Sequence, residues 1–157
     1  MVDKKSFLKF LLILPICILF FCQTTIAQKT DNQPKAILVE SGQYKTSEMA
    51  SLDIDMWRIE IGKNPNSKGL IIVYCGKKCQ YGEVEAHLRG IYLSLRGKGV
   101  KKQDYIIFQG GFREEFTIEY WVVPENACLP TPNSTVEIKD VKFKGTYKST
   151  LVPYDCC

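Results

Sequence analysis

Two cysteines enclosing a glycine and two lysines are the residues of this sequence whose types and spacing could do chemistry. Cys75 and Cys79 stand in the stretch YCGKKCQYG, directly after the apolar run GLIIVY. Such a pair can form a structural disulfide, bind a metal ion or act as a redox pair. His87, the single histidine of the chain, follows on the same stretch and is the natural partner in the last two cases.

A zinc site needs four ligands, commonly cysteine or histidine. Cys75, Cys79 and His87 could supply three, and the adjacent pair Cys156 and Cys157 could complete the set. Adjacent cysteines are unusual zinc ligands, and no second cysteine pair has the spacing of a zinc finger. The metal site is therefore an alternative interpretation, and we assign neither a metal nor a cofactor from the sequence.

A redox or nucleophilic role has the right residue types but not the right pattern. Lys77 and Lys78 would stabilise a neighbouring thiolate. The spacing, however, is not Cys-x-x-Cys, and nothing around it resembles a thioredoxin. A nucleophile formed by Cys79 and His87 lacks an orienting acid at a defined spacing. We therefore expect a protein that is not an enzyme.

The N-terminal residues indicate the compartment in which these cysteines work. Lys4, Lys5 and Lys9 precede the apolar stretch FLLILPICILFFC, which is followed by QTTIA. This is the pattern of a secretory signal peptide that is cleaved after Ala27. We therefore predict a signal peptide at residues 1–27 and an exported chain, periplasmic or secreted, in which disulfide bonds are the default state of cysteine.

The cysteine count then predicts a disulfide framework with one thiol left over. Five cysteines follow the signal peptide: Cys75, Cys79, Cys128, Cys156 and Cys157. We expect Cys75 to pair with Cys79, and Cys128 to pair with one of the two tail cysteines. The remaining tail thiol could couple two chains.

Length and charge limit the kind of partner. Cleavage leaves 130 of the 157 residues, which suits one domain. Removing three lysines and one aspartate from 21 basic and 17 acidic residues leaves a net charge of +2. A charge so close to balance argues against nucleic acid or an anionic membrane as a partner, and the mature domain has no predicted membrane span.

The hydrophobic pattern predicts four strands and two helices. The runs AILVE, GLIIVY, DYIIF and EEFTIEYWVV are typical of strands, and the second is apolar on both faces, as a central strand should be. Two segments have helical periodicity. Their apolar positions are Met49, Leu52, Met56 and Ile59 in the first, and Val84, Leu88, Ile91 and Leu95 in the second.

This order predicts an α+β fold of type βαβαββ, a mixed sheet with two helices packed on it. We expect parallel neighbours across each helix and an antiparallel hairpin from the last two strands. Thr117, Glu119 and Trp121 should share the more polar face of the last strand. Residues 28–35 are predicted to be a flexible start, residues 36–123 the domain, and residues 124–157 a linker and tail with room for one extra strand.

Two stretches carry a family resemblance: IIVYCGKKCQYGEVEAHLRGIYLSLRGKGVKKQDYIIFQGG and GGFREEFTIEYWVVP. Over residues 36–123 the chain resembles the C-terminal, peptidoglycan-binding domain of outer-membrane protein A, the OmpA-like family. The second stretch also resembles the closing hairpin of a group of exported bacterial proteins of related pattern. The resemblance implies the same α+β fold and a place in the cell envelope.

The resemblance also implies a binding loop, with one important replacement. The family loop reads Gly-His-Thr-Asp, and its Asp and a helix Arg hold the charged ends of diaminopimelate. In this chain the matching residues are Gly76, Lys77, Lys78, Cys79 and Arg89. The carboxylate that would accept a hydrogen bond from the ligand's ammonium group is thus replaced by the side chain of Cys79.

We therefore expect a non-enzymatic binding or structural module of the envelope or periplasm, with the cell wall or an envelope protein as its partner. Two alternatives stay open. One is a thiol–disulfide or zinc-dependent protein centred on Cys75, Cys79 and His87. The other is a secreted interaction protein that dimerises through its tail cysteines.

Overall fold

A computed structural model of the chain describes residues 33–43 and 47–148, with side chains from residue 50 onward in the first helix. The elements are β1 (Ile37–Gly42), α1 (Ser47–Lys63), β2 (Lys68–Gly76), α2 (Glu83–Gly97), β3 (Tyr105–Arg113) and β4 (Thr117–Val123). This is the predicted βαβαββ order, so the α+β fold class is confirmed. The predicted signal peptide and the two tail cysteines lie outside the described residues.

The four strands form one mixed sheet in the order β1-β4-β2-β3. β2 is parallel to β3, as predicted, and β4 runs antiparallel to both β1 and β2. The predicted hairpin of the last two strands is wrong, and so is the expectation that β1 and β2 are neighbours. Burial gives the reason: β4 has no exposed residue, so it needs a neighbour at each edge, whereas β1 and β3 each expose residues and suit the edges.

The chain reaches β4 from β3 by crossing the end of β2. Gly76 closes β2 at this crossing, and a Cβ atom there would lie 2.9 Å from the backbone nitrogen of Phe116 and 3.3 Å from the carbonyl carbon of Glu115. Both are backbone atoms with little freedom to move. Glycine at position 76 is therefore what allows the short connection to pass.

Both helices contribute to the main core on one face of the sheet. Trp57 of α1 is fully buried, and its ring occupies the space that a side chain at Gly69 would need. Its indole nitrogen donates to the carbonyl of Trp121 over 2.8 Å. α2 uses the predicted positions, and the fully or partly buried ones are Val84, Leu88, Ile91 and Leu95.

The predicted apolar face of α1 is wrong. Leu52, Met56 and Ile59 are 64%, 49% and 61% exposed, and the side chain of Met49 lies outside the described residues. Ile54 and Trp57 are the fully buried residues instead. The helix carries two apolar stripes on opposite sides, and the one with the tryptophan buries the larger area. The other stripe faces away from the core.

The second face of the sheet carries a smaller apolar cluster, against which the chain after β4 packs. Leu70, Ile72, Tyr74 and Val123 form this cluster, and Ala127 lies against it. Residues 124–148, predicted as linker and start of the tail, add no regular strand. They form two isolated bridges, Phe112 with Val136 and Tyr81 with Thr146. No helix among the described residues is long and apolar enough to cross a membrane.

Candidate functional site: the disulfide loop

The loop between β2 and α2 is closed by the predicted disulfide. Cys75 is the penultimate residue of β2, and Cys79 lies in the turn that follows. The two are bonded, with their Cα atoms 5.6 Å apart. Their exposed fractions are only 2% and 4%. The sulfur atoms therefore belong to the core rather than to the surface of the loop.

A carboxylate that we did not predict lies beside this disulfide. Glu83, the first residue of α2, accepts the backbone N–H of Gln80 over 2.8 Å, and the same oxygen lies 3.9 Å from the sulfur of Cys75. Donor atoms of Cys75, Cys79 and Glu83 all lie within 4.8 Å of one another. His87, which we had placed with the cysteines, is not in this group. The sequence did contain a signal for Glu83, because it is an acidic residue in the first turn of the helix that follows Cys79.

The outer side of the loop is covered by residues 142–147, which we call the strap. Alternate carbonyls of the loop accept backbone N–H groups of the strap, and one loop N–H donates back. The four bonds are Lys142 to Lys77 (2.8 Å), Lys144 to Cys79 (3.1 Å), Tyr147 to Tyr81 (2.9 Å) and Tyr81 to Gly145 (3.1 Å). The strap thus pairs with the loop as an added strand would.

Aromatic rings hold the strap at two points. Phe143 stacks on Tyr81 with ring centroids 5.3 Å apart. The ring centroid of Tyr147 lies 5.3 Å from that of His87, and the ring centroid of Phe116 lies 4.2 Å from that of His87. Burial among these rings lowers the pKa of His87, and the nearby charge of Glu83 partly opposes the shift. The imidazole thus contacts two aromatic rings, which accounts for its burial.

The residues predicted to bind a ligand lie in different environments. Gly76 is buried against the backbone that crosses it, and Cys79 is in the disulfide. Lys77 donates its N–H to the carbonyl of Glu114 over 3.2 Å, and its ammonium lies 3.3 Å from the same residue's carboxylate. Lys78 is exposed on the loop. Arg89 is exposed on α2 and forms no hydrogen bond or ion pair with any residue that the structure describes.

A polar network on the second face of the sheet anchors the chain ahead of the strap. Glu119 is 7% exposed. It accepts from Arg113 over 2.5 Å, from the hydroxyl of Tyr74 over 3.1 Å and from the indole of Trp121 over 3.0 Å. The guanidinium of Arg113 also lies 3.6 Å from the centre of the Tyr74 ring. Burial is the main reason why the pKa of Tyr74 is raised.

This network reaches the C-terminal segment through Asn133. Its N–H donates to the hydroxyl of Tyr74 over 3.1 Å, and its carbonyl accepts from Arg113 over 3.2 Å. Arg113 therefore joins the nearly buried carboxylate of Glu119 to the backbone at Asn133. Glu119 and Trp121 do share the second face of β4, as predicted.

No protein-family model, curated protein or solved structure matches this chain.

Proposed function

We propose that this chain is an exported, non-enzymatic module of the cell envelope with an OmpA-like scaffold, in which the ligand loop has become a closed structural element. One observation carries the proposal: the loop at the position of the family's binding loop is closed by a disulfide and covered by the strap. The element order is the one that the resemblance implies.

The chemistry of the loop supports this loss of the family's ligand. Holding an ammonium group requires an accessible carboxylate, and position 79 offers a buried, bonded sulfur. Losing one charge-assisted hydrogen bond costs about 1.5–3 kcal/mol, which is roughly ten- to hundredfold in affinity. The backbone oxygens of Lys77 and Cys79 are also engaged by the strap.

The outward stripe of α1 supports a protein rather than the cell-wall polymer as the partner. Leu52, Met56 and Ile59 follow one another on the side of the helix that faces away from the core, and each is about half exposed or more. Contiguous exposed apolar side chains mark protein-binding surfaces more often than surfaces for a polar glycopeptide. The partner that suits this stripe is an envelope protein.

A sedimentation assay with purified cell-wall sacculi tests the proposal. The mature chain should stay in the supernatant, whereas an ordinary OmpA-like domain should pellet with the sacculi. The variant Cys75→Ser/Cys79→Asp restores the carboxylate, and Cys75→Ser/Cys79→Ser is its matched control. Tight pelleting of the wild type that is lost on Arg89→Ala would show that the family's ligand is still bound and would overturn the proposal.

Export and tail coupling are tested separately. The intact mass of the protein isolated from the cells that express it should correspond to a chain that begins at Gln28, and retention of Met1 would contradict cleavage of the predicted signal peptide. Dimerisation through the tail is the alternative that predicts a covalent dimer on a non-reducing gel. That dimer should disappear in Cys156→Ser/Cys157→Ser, and a purely monomeric wild type would exclude this alternative.

A further inference from the structure

We propose that Cys75, Cys79 and Glu83 form a site for one thiophilic divalent ion, such as Zn²⁺, when the disulfide is reduced. The oxidised loop would then be a structural clip and the reduced loop a metal site. This inference goes beyond the proposed function, and it can fail without affecting it.

The three donor groups are already gathered in the oxidised protein. The sulfur atoms and a carboxylate oxygen all lie within 4.8 Å of one another, and the sulfur of Cys75 is 3.9 Å from the oxygen of Glu83. The two sulfurs are bonded to each other in the oxidised protein, so reduction must let them separate before both can bind one tetrahedral ion. The separation of Cys75 and Cys79 in sequence falls within the Cys-x₂₋₄-Cys range of zinc sites. The N–H of Gln80 holds the carboxylate of Glu83 in place over 2.8 Å, as outer hydrogen bonds do for metal ligands.

The loop should keep its shape when the disulfide is reduced, because other bonds hold it. The N–H of Lys77 donates to Glu114, and the carbonyls of Lys77 and Cys79 accept from Lys142 and Lys144 of the strap. Cys75 itself belongs to β2, where it pairs with Phe112. The two thiols would therefore stay side by side, so that little ordering is needed when the ion binds.

The donor set selects the class of metal. Reduction by a thiol or phosphine adds two electrons and two protons to the disulfide, and metal binding then releases those two protons. Two thiolates and one carboxylate carry three negative charges, which leaves a net charge of −1 around a divalent ion. Such ligands suit Zn²⁺ or Cd²⁺ and not Mg²⁺ or Ca²⁺, which take oxygen ligands. The fourth position would be left for water.

Cobalt titration tests the site, because Co²⁺ bound to thiolates is coloured. The mature chain for this test begins at Gln28 and carries Cys128→Ser, Cys156→Ser and Cys157→Ser, so that its two remaining cysteines are those of the loop. After phosphine reduction and desalting under argon, we expect one Co²⁺ per chain with a thiolate charge-transfer band and tetrahedral visible bands. Zn²⁺ should displace the Co²⁺, and the unreduced protein should bind none.

Matched variants separate this site from adventitious binding. Glu83→Gln removes a charged ligand and should weaken Co²⁺ binding by at least the roughly 10-fold that loss of a ligand's outer partner costs, whereas Glu85→Gln, on the same helical turn, should leave it unchanged. His87→Gln should also leave it unchanged, although the zinc alternative drawn from the sequence used that histidine. Absence of the charge-transfer band in the reduced chain, or equal affinity in Glu83→Gln and Glu85→Gln, would overturn the proposal.

Discussion

Replacing Glu119 by glutamine should destabilise the protein far more than a surface charge change does. The carboxylate has three donors: Arg113 on one oxygen, and Tyr74 and Trp121 on the other. A glutamine amide of the same shape offers one oxygen and one NH₂ group. Whichever way the amide is turned, its NH₂ group faces either the guanidinium or the indole N–H, and both of these are donors.

The magnitude follows from what is left unpaired. An unsatisfied buried donor costs about 1–3 kcal/mol, and breaking a buried ion pair by removing one partner costs about 3–5 kcal/mol. The side chain of Arg113 is 18% exposed, so water can partly hydrate the guanidinium that has lost its carboxylate partner. We therefore expect a loss of about 2–3 kcal/mol in Glu119→Gln and about 3–5 kcal/mol in Glu119→Ala.

Urea unfolding of the oxidised mature chain measures these losses, with tryptophan fluorescence as the probe. The matched control is Glu114→Gln, because Glu114 is 69% exposed and also pairs with a cation, Lys77. That substitution should cost less than about 1 kcal/mol. If Glu119→Gln and Glu114→Gln shift the unfolding midpoint equally at unchanged m-value, the network does not stabilise the fold, and our reasoning is refuted.

Four further predictions address the other parts of the structure. Leu52→Ala should change the free energy of unfolding by no more than about 0.5 kcal/mol, whereas Ile54→Ala should cost about 2–5 kcal/mol in the same urea assay; equal effects would contradict the observed face of α1. Gly76→Ala should cost about 1–3 kcal/mol through its clash with the crossing backbone, and a neutral result would argue against that crossing. Lys144→Pro, which removes the N–H that donates to Cys79, should speed amide exchange of the strap, whereas Lys144→Ala should not. His87 has a lowered pKa because it is buried, so its contribution to the free energy of unfolding should be fully present above the ordinary pKa of 6.5 and should be lost as the pH falls toward the folded-state pKa. The urea midpoint of the wild type should therefore fall between about pH 8 and pH 5, and this His87-dependent fall should be absent in His87→Phe.

Local pattern was sufficient to predict the elements but not the sheet order. Alternation and apolar runs placed all four strands and α2, because each depends on residues close in sequence. The order of the strands depends on the burial of β4 between two neighbours. The residues within any one strand do not specify which strands those neighbours are. The α1 error has a similar origin, since two stripes of comparable spacing compete, and Gly69 favours the one with Trp57 by leaving room for its ring.

The candidate site was predictable in its covalent part only. The disulfide follows from export and from the spacing of Cys75 and Cys79. Glu83 could have been included as a first-turn acid near the cysteines. The strap could not be predicted, because its pairing with the loop uses backbone groups and joins residues that are far apart in sequence. Arg113 and Glu119 are only six residues apart, but they lie on different strands, and their side chains meet across β2.

The strap decides which surface is available to a partner. A ligand that used the loop in the family's manner would first have to displace the strap, and so break four backbone hydrogen bonds. At about 0.5–1.5 kcal/mol each, these represent roughly 2–6 kcal/mol that the ligand would have to overcome before gaining affinity. The anchoring of Asn133 by Tyr74 and Arg113 adds a further restraint on the same segment. The outward stripe of α1 requires no such rearrangement, because its side chains are already exposed. The outward stripe of α1 is therefore a surface that a partner could reach without displacing the strap.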